Sequence, residues 1–123
     1  MEKLTLPGVF ELLDYSLSHS ILLYRKMEWI DDAHFNTDIF FSLTYYIEAP
    51  TKLYNVKIKQ GSKKDCAYII DKIGKSHYAT PISPESVYVM ISRRKKYYIG
   101  ARLLTITNNN YKHGETSIGL KRG

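Results

Sequence analysis

Apolar side chains recur along this chain with two different periods, and the switches between them outline its elements. Leu6, Val9, Phe10 and Leu13 fall at i, i+3, i+4 and i+7, one face of a short helix with Thr5 as its cap and Pro7 near its start. From Ser16 to Tyr24 the period drops to two. Leu17, His19, Ile21 and Leu23 share one face and Ser16, Ser18 and Ser20 the other, which predicts a strand. Met27 to Thr37 holds Asp31, Asp32, Asn36 and the one tryptophan, and reads as a loop. Asp38 to Glu48 is the clearest strand, with Ile39, Phe41, Leu43, Tyr45 and Ile47 facing one way. Ala49-Pro50 ends it, because proline cannot donate to a ladder. Leu53 to Lys59 alternates again, with Tyr54, Val56 and Ile58 expected inward.

Beyond Gly61, Ser62 and Asp65 have the spacing of a capping box. Cys66, Ile69, Ile70 and Ile73 follow at helical spacing, and Gly74 sits where a helix ends, so a second helix is expected. Lys75 to Glu85, with Pro81 and Pro84, reads as a loop. Val87 to Ser92 and Tyr97 to Thr107 are two strands flanking Arg93-Arg94-Lys95-Lys96, a hairpin whose charged tip lacks the usual glycine. Asn108 to Asn110 is a turn, and Thr116 to Leu120 is a last short strand or a frayed end. The expected fold is α+β and mainly β: an antiparallel sheet or open barrel of five to six strands, with two short helices on one side. No repeat, low-complexity tract or linker divides residues 1–123, so one domain is expected.

Charge adds what periodicity cannot. Residues 1–50 carry three basic and eight acidic side chains, a net of −5, whereas residues 51–123 carry fifteen basic and four acidic, a net of +11. Such asymmetry bears on partners rather than on fold. A basic stripe suits nucleic acid, and a patch of one sign suits a protein of the opposite sign. The two halves can also pack together and partly neutralise one another. Tyrosine supplies eleven of sixteen aromatics, which suits half-buried sheet surfaces and binding faces alike. Cys66 alone makes no internal disulfide and fits a reducing compartment. No apolar run approaches the ~20 residues that span a bilayer, and Met1 to Phe10 lacks the make-up of a secretory leader. The expectation is a cytoplasmic protein without a membrane segment.

The motifs that carry chemistry are missing: no GxSxG, phosphate-binding loop, GxGxxG, HExxH or CxxC occurs. His19 lies on the apolar face of its strand and reads as a hydrogen-bonded core histidine. His34 near Asp31 and Asp32 reads as part of a solvated loop before it reads as a metal ligand. His77, between Lys75 and Tyr78, could serve a small metal-independent ribonuclease as general base, or lie in an ordinary polar loop. His113 falls in a turn. Cys66 reads as a small core hydrophobe. Two features suit binding. Arg93 to Lys96, flanked by Tyr88, Tyr97 and Tyr98, could contact phosphates and bases, or simply be a soluble hairpin tip. Trp29 within Glu28-Trp29-Ile30-Asp31-Asp32 has the make-up of an interface hot spot, or covers one end of the core. No catalytic set, cofactor or metal site is expected.

The stretch Asn36 to Phe41 and Tyr45 to Ile58, with Ser18-His19-Ser20 before it and Gly114 to Ser117 after it, resembles small β-rich bacterial immunity proteins of polymorphic-toxin and contact-dependent inhibition systems. That resemblance implies a cytosolic protein that binds and blocks one cognate toxin and has no activity of its own. Many such inhibitors are acidic, whereas this chain is net basic. Two contact surfaces therefore stay open: Trp29, Asp31 and Asp32, or Arg93, Arg94, Lys95, Lys96 and Tyr97. A nucleic-acid-binding module using the basic half is the alternative.

Overall fold

Ten short strands and one helix follow one another in the computed structural model, which describes residues 2–16, 20–74 and 82–110. The strands are β1 (Leu4–Thr5), β2 (Val9–Ser16), β3 (Ile21–Ile30), β4 (Ala33–Ser42), β5 (Tyr46–Glu48), β6 (Lys52–Tyr54), β7 (Lys57–Gln60), β8 (Val87–Ser92), β9 (Lys95–Gly100) and β10 (Leu103–Asn109). The helix, α1, spans Lys63–Ile73, and a single 3-10 turn covers Pro84–Ser86. Two five-stranded antiparallel sheets result, the first ordered β1-β7-β8-β9-β5 and the second β10-β4-β3-β2-β6. Neither is a closed barrel. Their facing sides bury one core: Phe10, Leu22, Tyr24, Ile39, Phe41 and Leu53 from the second sheet meet Val56, Ile58, Tyr88, Met90 and Ile99 beside the first.

The fold is mainly β with antiparallel sheets, as the alternation implies, but one helix replaces the expected two. The Leu6–Leu13 helix is absent: Val9–Ser16 is strand β2. The apolar spacing misleads because Leu6 precedes the strand and Val9 is an exposed apolar residue on the face opposite buried Phe10, and a bulge between Leu12 and Asp14 then resets the period-two phase. Gly8, at φ 96°, takes a left-handed turn into that strand. The Met27–Thr37 loop is also absent. β3 runs on to Ile30 and β4 starts at Ala33, so only Asp31 and Asp32 turn. Both have positive φ, as a two-residue hairpin turn requires, and aspartate tolerates that conformation better than most residues. The expected Ser16–Tyr24 strand is instead the end of β2 and the start of β3, and Leu17, Ser18 and His19 lie outside the described residues.

Three expected strands change sheet partway. Asp38–Glu48 bends at Leu43, at φ 53°, so that β4 lies in the second sheet and β5 in the first. Leu53–Lys59 bends at Asn55, at φ 47°, dividing β6 from β7. Tyr97–Thr107 divides at Ala101 and Arg102 into β9 and β10. These three divisions, with β1 and the replacement of the expected Ser16–Tyr24 strand by parts of β2 and β3, give ten strands among the described residues instead of five or six. Asn108 and Asn109 extend β10 instead of turning. The 116–120 segment lies outside the described residues.

Helix α1 is as its local signals predict. Ser62 Oγ accepts from the Asp65 backbone N–H at 3.3 Å, and the Asp65 carboxylate accepts from the Ser62 N–H at 2.8 Å. The Gly74 N–H donates to the Ile70 carbonyl and closes the last turn. Cys66 and Ile69 bury against Val87, forming a second small core on the outer side of the first sheet. Tyr68 stacks on Tyr98 at 4.3 Å, and Tyr46 and Tyr68 both donate to Glu48 at 2.8 Å. No helix among the described residues is long and apolar enough to cross a membrane.

Gly100 shows how tight this layer is, since a Cβ there would run into the Tyr45 ring, whose hydroxyl donates to the Ser86 carbonyl at 2.8 Å. Gly100→Ala should therefore destabilise by about 1–3 kcal/mol through overpacking. A thermal melt unchanged by the substitution would mean that Tyr45 is not seated over Gly100.

Candidate functional site

Two hairpins reach one end of the sandwich, and they carry the residues that the sequence marks for binding. In the β3–β4 hairpin the buried part ends at Arg25 on β3 and Asn36 on β4, and Arg25 lies directly opposite Asp38 in register. Their side chains are only 2% and 0% exposed, with Arg25 Nε 2.7 Å and Nη2 2.9 Å from the two carboxylate oxygens. Asn109 of β10 donates to the same carboxylate at 2.8 Å, and Asn36 donates to Asn109 at 2.8 Å. This polar cluster ties three strands together where the hairpin leaves the body.

Beyond it the hairpin becomes an arm. Trp29 is 71% exposed, and Met27, Ile30 and Phe35 are exposed as well. Trp29 is opposite His34 and stacks on it at 5.0 Å, with the rings inclined by 19°. His34 Nε2 is shielded and has no hydrogen-bond partner among the described residues. The imidazole thus serves as a flat support for the indole. Lys26 braces the base of the arm: its Nζ lies 3.0 Å from Glu28, donates to the Pro7 carbonyl at 2.9 Å and sits 5.5 Å from the Phe10 ring centre.

The second hairpin, β8–β9, turns on Arg93 and Arg94 alone, and Lys95 and Lys96 belong to β9. Both arginines have positive φ, 50° and 68°, where Asn-Gly is the favoured pair. The Arg93 guanidinium lies over the Tyr54 ring, 3.5 Å from its centre. Tyr54 is held by its N–H donating to Ser92 Oγ at 2.8 Å. Tyr54, Asn55, Lys57, Ile91, Arg93 and Arg94 line an open cleft of about 380 Å³. Lys96 pairs with Ile91, which in turn pairs with Lys57, so the two lysines flank Ile91 on one face of the first sheet. Tyr97 faces the other way, half-buried against the core.

Register joins the two hairpins into one surface. Cross-strand partners share a sheet face, as do residues two apart. Glu11 pairs with Arg25 and Val9 with Tyr54. Trp29, Met27, Val9 and Tyr54 therefore lie on one face, the outer one, and Arg93 extends the line through its contact with Tyr54. Met27 is 47% and Val9 42% exposed. Trp29, Asp31, Asp32, Arg93 and Arg94, named from sequence as alternatives, thus come to one end. Met27, Val9 and Tyr54 were not among the expected contacts, and Tyr54, expected inward, faces outward with its partner Val9. Their only signal is cross-strand register, which is not local. The opposite charges of the two halves also meet here, with Glu28, Asp31 and Asp32 on the arm and Lys57, Arg93 and Arg94 at the cleft.

Other candidates are placed differently. His19, His77 and His113 lie outside the described residues. Burial, with Asp65 and Glu85 nearby, pushes the Cys66 thiol up, which disfavours the nucleophilic thiolate. Burial likewise pushes up the Tyr24 hydroxyl, which donates to the Pro50 carbonyl at 2.7 Å. Among the described residues, no group of three or more His, Cys, Asp or Glu is placed to hold a metal ion. In comparison with known proteins, no family model, no curated protein and no solved structure matches the chain.

Proposed function

We propose that this chain is a non-catalytic binding protein of the immunity type, which occludes a cognate toxin or enzyme with the end of the sandwich that carries Trp29. The observation behind this reading is the strip of exposed Trp29, Met27 and Val9 and half-buried Tyr54 on one sheet face, continued by Arg93 of the other hairpin over the Tyr54 ring and flanked by charge. Tryptophan, tyrosine and arginine are the residues most enriched at interface hot spots. A two-stranded arm braced at its base presents Trp29 with little conformational freedom left to lose on binding, and Arg93 rests on Tyr54 beside it. Its projection past the body suits insertion into a concave active site.

The nucleic-acid alternative would use Arg93, Arg94 and Lys57 beside Tyr54. Glu28, Asp31 and Asp32 at the same end repel a phosphate backbone, so that surface suits a protein of mixed charge better.

Capture with the tagged chain from native lysate, with nuclease treatment and at low and high salt, tests the reading. One protein should be retained under all conditions, and added wild-type chain should block that protein's activity. Recovery of nucleic acid that disappears with salt, or a captured protein whose activity is untouched, would overturn it.

A further inference from the structure

The turn at Arg93 and Arg94 is conformationally unfavourable for its residues. Positive φ at two successive non-glycine, non-asparagine positions strains the backbone, and strain of this kind concentrates at functional sites. Asp31 and Asp32 make the same kind of turn with a residue type that tolerates it. What the arginine turn gains is position. Arg93 is held over Tyr54, its guanidinium carbon 3.5 Å from the ring centre, and Arg94 and Lys57 line the same cleft of about 380 Å³. No carboxylate among the described residues forms an ion pair with any of the three. Three cations converge on an open cleft, one with its guanidinium already resting on an aromatic ring, and a guanidinium can meet an oxyanion at two points.

We infer that this cleft receives an acidic side chain of the protein partner, with Arg93 as its principal ligand and Arg94 and Lys57 beside it. The inference rests on the binding function proposed above and adds the partner's chemistry and orientation. The partner presents a carboxylate opposite the cleft, and an apolar pocket rimmed by cations opposite Trp29 and the Asp31-Asp32 turn. Because acidic and basic groups stand at the two ends of one strip, a partner of the wrong polarity is repelled at both, which sets the docking direction.

The variant R93N/R94G tests this without risking the fold. Asn-Gly is the preferred pair for such a turn, so relief of strain should outweigh the lost contact with Tyr54 and raise Tm by about 4 °C. In the isotope-labelled full chain, a pentaglutamate peptide should shift the amide resonances of Asn55, Lys57, Ile91 and Arg93 saturably. In the variant these shifts should vanish at Asn55, Lys57 and Ile91. Affinity for the captured partner should fall by at least ~30-fold, as when one member of a desolvated charge pair is removed. Absent shifts, or shifts spread equally over exposed Lys63 and Lys64, would overturn the inference. So would an oligothymidylate that binds the same amides more tightly than the peptide. If R93N/R94G still captures the partner at full affinity, the cleft assignment fails and the proposed function stands. If the wild type captures no protein yet the peptide binds at the cleft, the proposed function fails and the anion site stands.

Discussion

Asp38→Ala should destabilise the chain by about 3–5 kcal/mol, as expected when one member of a buried ion pair is deleted. Asp38 accepts from Arg25 Nε, Arg25 Nη2 and Asn109 Nδ2 at 2.7, 2.9 and 2.8 Å, and none of its side-chain surface reaches solvent. Alanine would leave the Arg25 guanidinium buried without its carboxylate, and desolvation of that charge would dominate the loss. Against the usual folding stability of about 5–15 kcal/mol, this is a large fraction. The denaturation midpoint in urea should fall accordingly, with an unchanged slope if the unfolded state is unaffected. Arg25→Met combined with Asp38→Leu removes both charges and should recover most of the loss. A midpoint for Asp38→Ala within about 1 kcal/mol of wild type would show that the pair does not hold the hairpin.

The same pair has a functional consequence, because it stands where the arm leaves the body. Asn109 of β10 and Arg25 of β3 meet on the Asp38 carboxylate of β4, with Arg25 two residues before Met27 and Asp38 four residues after His34. The last buried residue toward the tip is Asn36, opposite Asn109, and beyond it β10 makes no further pairing among the described residues. The polar cluster and the bracing of Lys26 on Pro7 and Glu28 are what set the direction of Trp29.

How far the sequence revealed this arrangement depended on how local each signal was. Helix α1 was legible because its cap, apolar spacing and terminal glycine all lie within Ser62–Gly74. The Arg93–Lys96 hairpin was legible for the same reason, although its turn is two residues and not four. β2 was misread because exposed Val9 beside buried Phe10, and then the bulge at Leu12 and Asp14, break the period-two alternation of a strand. At the Leu43 bend the inward residues keep one alternating phase, Ile39 and Phe41 before it and Ile47 after it, so that sheet change left no mark; at Asn55 and Ala101 the phase shifts by one, from Leu53 to Val56 and from Ile99 to Leu104, a shift that reading each run as one strand overlooked. The arm looked like a loop because its exposed residues carry no burial pattern and its turn is Asp-Asp. Trp29 and Arg93 stood out by residue type alone. That they belong to one strip depends on the pairing of Val9 with Tyr54, 45 positions apart, which composition does not encode.

Trp29→Ala should weaken partner binding by at least ~30-fold while leaving stability within about 0.5 kcal/mol of wild type. The two halves of that expectation have separate causes. With 71% of its surface in solvent, Trp29 contributes little to the core, so its truncation costs the free protein little. On binding, the exposed face of the indole is buried, and at about 25 cal/mol per Å² a large aromatic contributes several kcal/mol before ordering costs. The stack on His34 lowers those costs by holding the ring before the partner arrives. His34→Ala should therefore lose less affinity than Trp29→Ala, and Lys64→Ala, on the exposed first turn of α1, should lose none. Titration calorimetry on the captured partner, beside a thermal melt of each variant, reads both quantities. Equal affinity for Trp29→Ala and wild type would remove the arm from the interface and leave the cationic cleft as the contact. A parallel fall in Tm would mean that Trp29 acts through folding and not through recognition.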